Sequence, residues 1–237
     1  MTDSRPHRDV VSFVRRSARM NASQRGALRR HRARYVLDVP SGELDTSVSE
    51  DASIDWAAVF GREAPLCVEI GSGTGDSLVA MAAHRPGADV VAFEVYERAV
   101  ASTLGKLARA EVRNVRVAMV DGVQGLERLF DEGAVSELWT FFPDPWHKTR
   151  HHKRRLVSRG FGDLVASRLR PDGVWRIATD WEEYAWWMRE ELDDHPRLRN
   201  LHDGWAPRLA ERPVTKYEAR GLAAGRQVYD LAYGVRA

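Results

Sequence analysis

From Leu66 onward, short apolar runs alternate with longer segments of helical spacing. Leu66–Ile70, Asp89–Val95, Val115–Val120, Val135–Phe141 and Val174–Ala178 read as strands, because each is a brief hydrophobic run bounded by turn-forming residues. Asp76–Ala83, Arg98–Glu111, Val123–Phe130, Arg154–Leu169 and Glu182–Leu192 carry apolar positions at the period of a helix, the fourth stopped by Pro171-Asp172-Gly173. Strands alternating with helices predict an α/β architecture: βαβ units and a mostly parallel, twisted sheet with helices on both faces. Gln227–Val235 follows the turn-like Gly221–Gly225 and reads as a closing antiparallel strand. Residues 1–50 lack this pattern and read as an N-terminal extension and linker, partly helical around Gln24–Tyr35, with the compact domain spanning 51–237.

Charge sharpens that division. The net charge is only +2, but residues 1–34 hold ten Arg against Asp3 and Asp9, and Lys148–Arg155 adds five cations, which leaves −11 on the remainder. Two basic segments on an acidic body suggest a polyanion met at defined places. The single cysteine, Cys67, excludes an intramolecular disulfide and a Cys-clustered zinc site, and its apolar run makes it a buried strand residue. No run is long enough to span a membrane and the N-terminus is polar, so a cytoplasmic protein is expected.

In open α/β sheets, ligands bind beyond the carboxyl ends of the strands. The first strand here ends in Glu69 and runs into Gly71-Ser-Gly73-Thr-Gly75, whose glycines allow a tight turn and close backbone approach. The second strand ends at Glu94, placed to accept from ribose hydroxyls, and the third at Asp121, placed to accept from an adenine amine. No phosphate-binding Lys follows the glycines, so an adenosine cofactor without phosphates, S-adenosylmethionine, is expected. The fourth strand leads into Phe141-Phe-Pro-Asp144-Pro-Trp146, where the two prolines restrict the acid. A rigid carboxylate beside an aromatic ring suits a nucleobase, and the following cations suit its phosphates. Trp146 and Tyr217 fit either base stacking or packing, and adjacent Trp186 and Trp187 cannot share one helix face, so one belongs to the core. His147, His151 and His152 lack acid or Cys companions, so no metal is expected.

Together these motifs, with Thr179-Asp180 and Thr215-Lys-Tyr-Glu218 before Arg220-Gly221, resemble the bacterial tRNA (guanine-N7-)-methyltransferase family over about Trp56 to Tyr233. A weaker echo lies at Ser12-Phe-Val-Arg-Arg16. The resemblance implies a Rossmann-like methyltransferase fold using S-adenosylmethionine, with tRNA as partner and its variable-loop guanine as the methyl acceptor. It implies cofactor contacts from Glu69, the glycine loop, Glu94, Asp121 and Asp144, with Asp144 as the catalytic residue. Lys148, Asp180, Thr215, Lys216, Tyr217 and Glu218 would bind substrate. Arg150, His151, His152, Lys153, Arg154 and Arg155 would grip RNA phosphates. No obligatory protein partner is expected, and monomer and homodimer both remain open. Two positions depart from the family pattern: Phe93 stands where a smaller aliphatic residue is expected, and Gly122 where alanine is expected.

Three other readings compete. Asp144-Pro-Trp faintly resembles the D-P-P-Y loop of exocyclic-amine methyltransferases, but here prolines flank the acid. An RNA-binding scaffold with a vestigial cofactor site would fail to bind S-adenosylmethionine. A nicotinamide-dependent dehydrogenase would carry G-x-G-x-x-G rather than the G-x-G-x-G found.

Overall fold

The computed structural model describes residues 19–236. Eight strands form one sheet: β1 (Val36–Leu37), β2 (Leu66–Ile70), β3 (Asp89–Phe93), β4 (Val115–Ala118), β5 (Val135–Phe141), β6 (Leu169–Thr179), β7 (Leu198–Asn200) and β8 (Tyr229–Val235). Their order is β1-β4-β3-β2-β5-β6-β8-β7, and β8 alone runs against the rest. The helices are α1 (Ala22–Tyr35), α2 (Trp56–Phe60), α3 (Asp76–Ala83), α4 (Glu97–Arg109), α5 (Gly122–Leu129), α6 (Arg159–Arg168), α7 (Glu182–Leu192) and α8 (Lys216–Ala223). Burial explains the continuous apolar runs. All five residues of β3 are buried, as a central parallel strand covered on both faces requires. One core, around Phe93, Trp175 and Tyr184, lies on one face; the other, around Leu78, Leu104 and Trp139, lies on the opposite face and takes in Cys67.

The expected boundary near residue 50 is corrected. Tyr35 is fully buried, and β1 pairs in parallel with β4, so α1 and β1 are part of the domain. Helix α1 packs against α4 through small residues: Ala27 lies over Gly105, and Gln24 donates to Ser102 Oγ at 2.9 Å. Contact through alanine and glycine leaves no apolar stripe for the periodicity to reveal. The stretch read as linker is also tied down. Val48 is fully buried, its N–H donates to Gln124 Oε1, and Thr46 O accepts from Asp121 N at 2.7 Å. The Arg-rich extension before Arg19, with the echo at 12–16, lies outside the described residues.

Two further boundaries differ. The segment expected to be helical from Arg154 is a 3-10 turn over Thr149–Arg154, then buried Leu156 and Val157 outside any helix, and helix only after Ser158 caps it. Tyr184 Oη accepts from Val157 N at 3.1 Å, which holds that segment out of helix. Helix α8 runs through Gly221, read as turn; the glycine answers to packing, since a side chain there would meet the Asp180 carboxylate at 2.4 Å. The strand β7, three residues long, carries too short a signal to be recognised.

Candidate active site

The parallel strands present Glu69, Glu94, Asp121 and the turn after β5 at one edge of the sheet, and the glycine loop closes over that edge. Gly71, Gly73 and Gly75 all have positive φ, at 76°, 54° and 75°. A side chain at Gly75 would strike Thr103, 2.6 Å away, whereas nothing lies within 4 Å of a Cβ at Gly71 or Gly73. The loop is therefore packed on its helix side and open on its ligand side. Helix α4 fastens it: Thr103 Oγ1 donates to Gly73 O, and Lys106 donates to Thr74 O at 2.7 Å and to Asp76 at 2.6 Å.

The carboxylates behind the loop are set by burial. Glu94 accepts from Gly73 N at 2.8 Å and Tyr96 N at 2.9 Å. Burial, and next the charge of Asp144, nevertheless hold its carboxyl above the ordinary range. Glu69 is buried at the end of β2, and its Oε2 and Ser72 Oγ have no hydrogen-bond partner. Burial, with Glu94 next, pushes the Glu69 carboxyl up to about 8. Buried, unpartnered polar atoms beneath an open glycine cradle fit an amine- and hydroxyl-bearing cofactor such as S-adenosylmethionine. Asp121 Oδ1 caps α5 through Val123 N at 2.8 Å and Gln124 N at 3.2 Å, and burial raises its carboxyl.

Raised carboxyls bind protons in the folded state that the unfolded chain has released, so stability falls as pH climbs from the ordinary glutamate range to about 8. Glu69→Gln removes this cost. The cofactor-free variant should melt higher than the parent above pH 8, by roughly 2–8 °C for 1–2 kcal/mol, and the gap should close toward pH 4.5. Thermal melts across pH test this; a gap that is flat with pH would show that Glu69 is not the titrating group.

The turn after β5 is unusual. Phe142 and Trp146 have φ of 53° and 48°, left-handed values on either side of Pro143-Asp144-Pro145. Asp144 is exposed at its tip. Trp146 contacts the His151 ring edge-on and lies under Arg154 at 5.0 Å. His147 rests on Trp181 at 4.0 Å, and His152 meets Trp187 at 5.7 Å. The three histidines therefore each take a different aromatic partner rather than converging. Lys148, Arg150 and Lys153 are exposed, His151, His152 and Arg154 half-buried. Arg155 is the exception: its side chain is 0% exposed and is bound to Glu183 and to Pro145 O rather than facing solvent with the other cations.

Asp180 follows β6 and accepts from Arg226 Nε at 2.8 Å beside Gly221. Thr215 caps α8, accepting from Glu218 N, and Lys216 and Tyr217 are exposed with the ammonium 5.6 Å from the ring. Glu218 is placed differently from the exposed Lys216 and Tyr217: it is 1% exposed, gripped by Arg208 at 3.0 Å, with Arg212 at 3.9 Å. Arg212, which the sequence reading passed over, is wholly buried, donates to both oxygens of Asp230 at 2.9 and 3.0 Å, and lies 5.2 Å from the rings of both Phe141 and Phe142. Its one sequence signal is its place just before Pro213 and Thr215-Lys-Tyr-Glu. Of the tryptophan pair, Trp187 packs on the core and donates to Val157 O, while Trp186 is 48% exposed against Trp205.

A family model described as "Putative methyltransferase" matches residues 63–231. The chain is 52% identical over 232 residues to the tRNA (guanine-N(7)-)-methyltransferase of Cutibacterium acnes, covering 97% of this chain and 84% of that one. It is 47% identical over 230 residues to the protein of that name from Methylococcus capsulatus, covering 96% and 95%. The chain belongs to the tRNA (guanine-N7-)-methyltransferase family. The methyl donor in this methyltransferase family is S-adenosylmethionine. A solved structure described as an antibiotic-related methyltransferase shares the fold at a TM-score of 0.54 and 14% identity, covering 84% of this chain and 100% of that one. Among the described residues, no helix is long and apolar enough to cross a membrane.

Phe93 and Gly122 belong to one packing arrangement. A Cβ at Gly122 would sit 3.2 Å from Phe93 Cβ and 2.7 Å from Ile70 Cγ2, and one at Gly125 would meet the Phe93 ring at 2.4 Å. The large ring at 93 fills the space that glycines on α5 leave. The ring packs edge-on against Phe130, which stacks on Trp56 at 4.7 Å.

Proposed function

We propose that the protein methylates N7 of the variable-loop guanine of tRNA, with Asp144 orienting the base and stabilising the charge that develops on it. The observation that carries this reading is the placement of a carboxylate on a constrained turn beside the cofactor edge, next to a line of exposed cations. S-adenosylmethionine, when bound, supplies an activated methyl group; Glu69, Glu94 and Asp121 would hold its polar groups. Guanine N7 carries an in-plane lone pair and no proton, so the protein needs no general base. Its residues have two tasks: fix the ring in line, and place negative charge where the ring becomes cationic. Asp144 does both by accepting from guanine N1–H or the 2-amino group. Asp180, beside the turn's end of the sheet, would help orient the substrate together with Thr215, Lys216 and Tyr217. Lys148, Arg150, Lys153 and Arg154, with His151 and His152, would line the phosphates.

Transfer of labelled methyl from S-adenosylmethionine to bulk unmodified tRNA, followed by nucleoside analysis, tests the reading. Label should appear in N7-methylguanosine; label in an N6-methylated nucleoside would move the activity to exocyclic amines. The phosphate line has its own test. Each lost phosphate contact lowers the slope of log K against log salt by roughly 0.7–0.9. Lys153→Ala should show that decrease in tRNA-binding titrations, and an unchanged slope would remove Lys153 from the RNA interface.

A further inference from the structure

We propose that Arg155 and Arg212 are positioning residues that hold the turn bearing Asp144 from its two ends; the proposal rests on the role given to Asp144 above. Left-handed φ at two large aromatic residues, Phe142 and Trp146, persists only where the surroundings over-determine it. Two prolines between them restrict the turn but do not fix its place relative to the sheet. Two buried guanidiniums do.

At the entrance, Phe142 N donates to Ala178 O at 2.7 Å, and the Arg212 guanidinium lies 5.2 Å from the Phe141 and Phe142 rings. Arg212 is itself anchored by Asp230, through both oxygens. At the exit, Arg155 Nε donates to Pro145 O at 3.0 Å. Its two terminal nitrogens bind the two oxygens of Glu183, and its plane lies 4.8 Å from the Tyr184 ring and 4.9 Å from Trp187. The hydrogen bond to Arg155 holds the Glu183 carboxyl below its usual range. Only a planar fork serves a carbonyl, a carboxylate and two rings at once, so lysine cannot replace arginine here. A cation with no exposed surface cannot reach phosphate without letting go of Pro145. The arginine at 155 thus acts on the reaction through backbone, not through RNA.

The test uses the full-length protein with Arg155→Lys, Arg212→Lys and Glu183→Gln. Glu183 is 55% exposed, so its variant folds even if the buried ones do not. Three readouts are taken: steady-state kinetics on tRNA, tRNA binding across salt, and amide exchange of Phe142, Asp144, Trp146 and His147. A displacement of the reacting geometry by about 1 Å costs on the order of 100-fold in rate. Arg155→Lys should therefore lower kcat by roughly that factor, with the salt slope of tRNA binding unchanged, and Glu183→Gln should shift kcat the same way by less. Exchange should quicken most at Trp146 and His147 in Arg155→Lys, and most at Phe142 in Arg212→Lys. A salt slope lower by roughly 0.7–0.9 with kcat intact would make Arg155 a phosphate contact and overturn the proposal. Unchanged kcat despite faster exchange would overturn it too. If the parent protein methylates no tRNA, the functional reading fails by itself, and unaltered exchange in the variants would separately overturn the clamp.

Discussion

Asp144→Ala is expected to cost methyl transfer to tRNA more than any other single change at this site, with kcat down by on the order of 10²–10³-fold, the usual cost of removing one pre-placed electrostatic group. The expectation follows from the division of labour at this site. Guanine N7 needs no base, so little of the rate can come from proton removal; most must come from holding the ring and meeting its positive charge. Asp144 is the carboxylate on the constrained turn at the cofactor edge; Glu94 accepts from the Gly73 and Tyr96 amides, and Asp121 caps α5. Cofactor binding should change little, because Glu69, Glu94 and the glycine loop are untouched. Asp144→Asn separates the two tasks: it keeps an acceptor but loses the charge, and should fall between parent and alanine. Single-turnover methylation alongside calorimetric titration of S-adenosylmethionine measures both. Near-parental turnover in Asp144→Ala would remove the residue from the mechanism.

The largest stability effect is expected at Arg212→Met. The substitution keeps volume but leaves Asp230 and Glu218 buried with one cation fewer. Breaking a buried ion pair from one side costs roughly 3–5 kcal/mol. Arg208 still serves Glu218, so Asp230 bears most of the loss. Burial already holds the Asp230 carboxyl up at about 6 against the opposing pull of Arg212. Without that pull it rises further and the residue stays protonated when folded, which relieves the cost at low pH. The variant should therefore be least destabilised near pH 5 and progressively worse toward pH 8, since the folded state then retains a proton that the unfolded chain releases. Denaturant midpoints at constant m-value across that range check it. A loss independent of pH would mean that packing under Phe141 and Phe142, rather than charge, is what Arg212 provides.

The sheet was legible because its signal is local. Runs such as Asp89–Phe93 are buried on both faces, so hydrophobicity marks them, and glycines and acids at strand ends mark the ligand edge. Helix α1 was harder to place, because it meets α4 through Ala27, Gln24 and Gly105 rather than through a stripe of large apolar residues. Charged residues were the least legible. Arg150 and Arg155 sit five residues apart in one basic block, yet the first is exposed and the second is interior. Glu218 and Arg212 look like surface charges in sequence, and only the approach of Phe141, Phe142 and Asp230 from distant strands takes the arginine inside.

The sequence by itself determined the alternation that makes the parallel sheet, the glycine loop, the acids after successive strands and the proline-bracketed Asp144. Each is written in residues close together along the chain, and local sterics and burial suffice to read it. Tertiary structure decided which cations face solvent, which carboxylates are held by cations or by amides, and why Phe93 goes with Gly122 and Gly125. Those outcomes depend on desolvation and contact between segments far apart in sequence, and no local pattern encodes them.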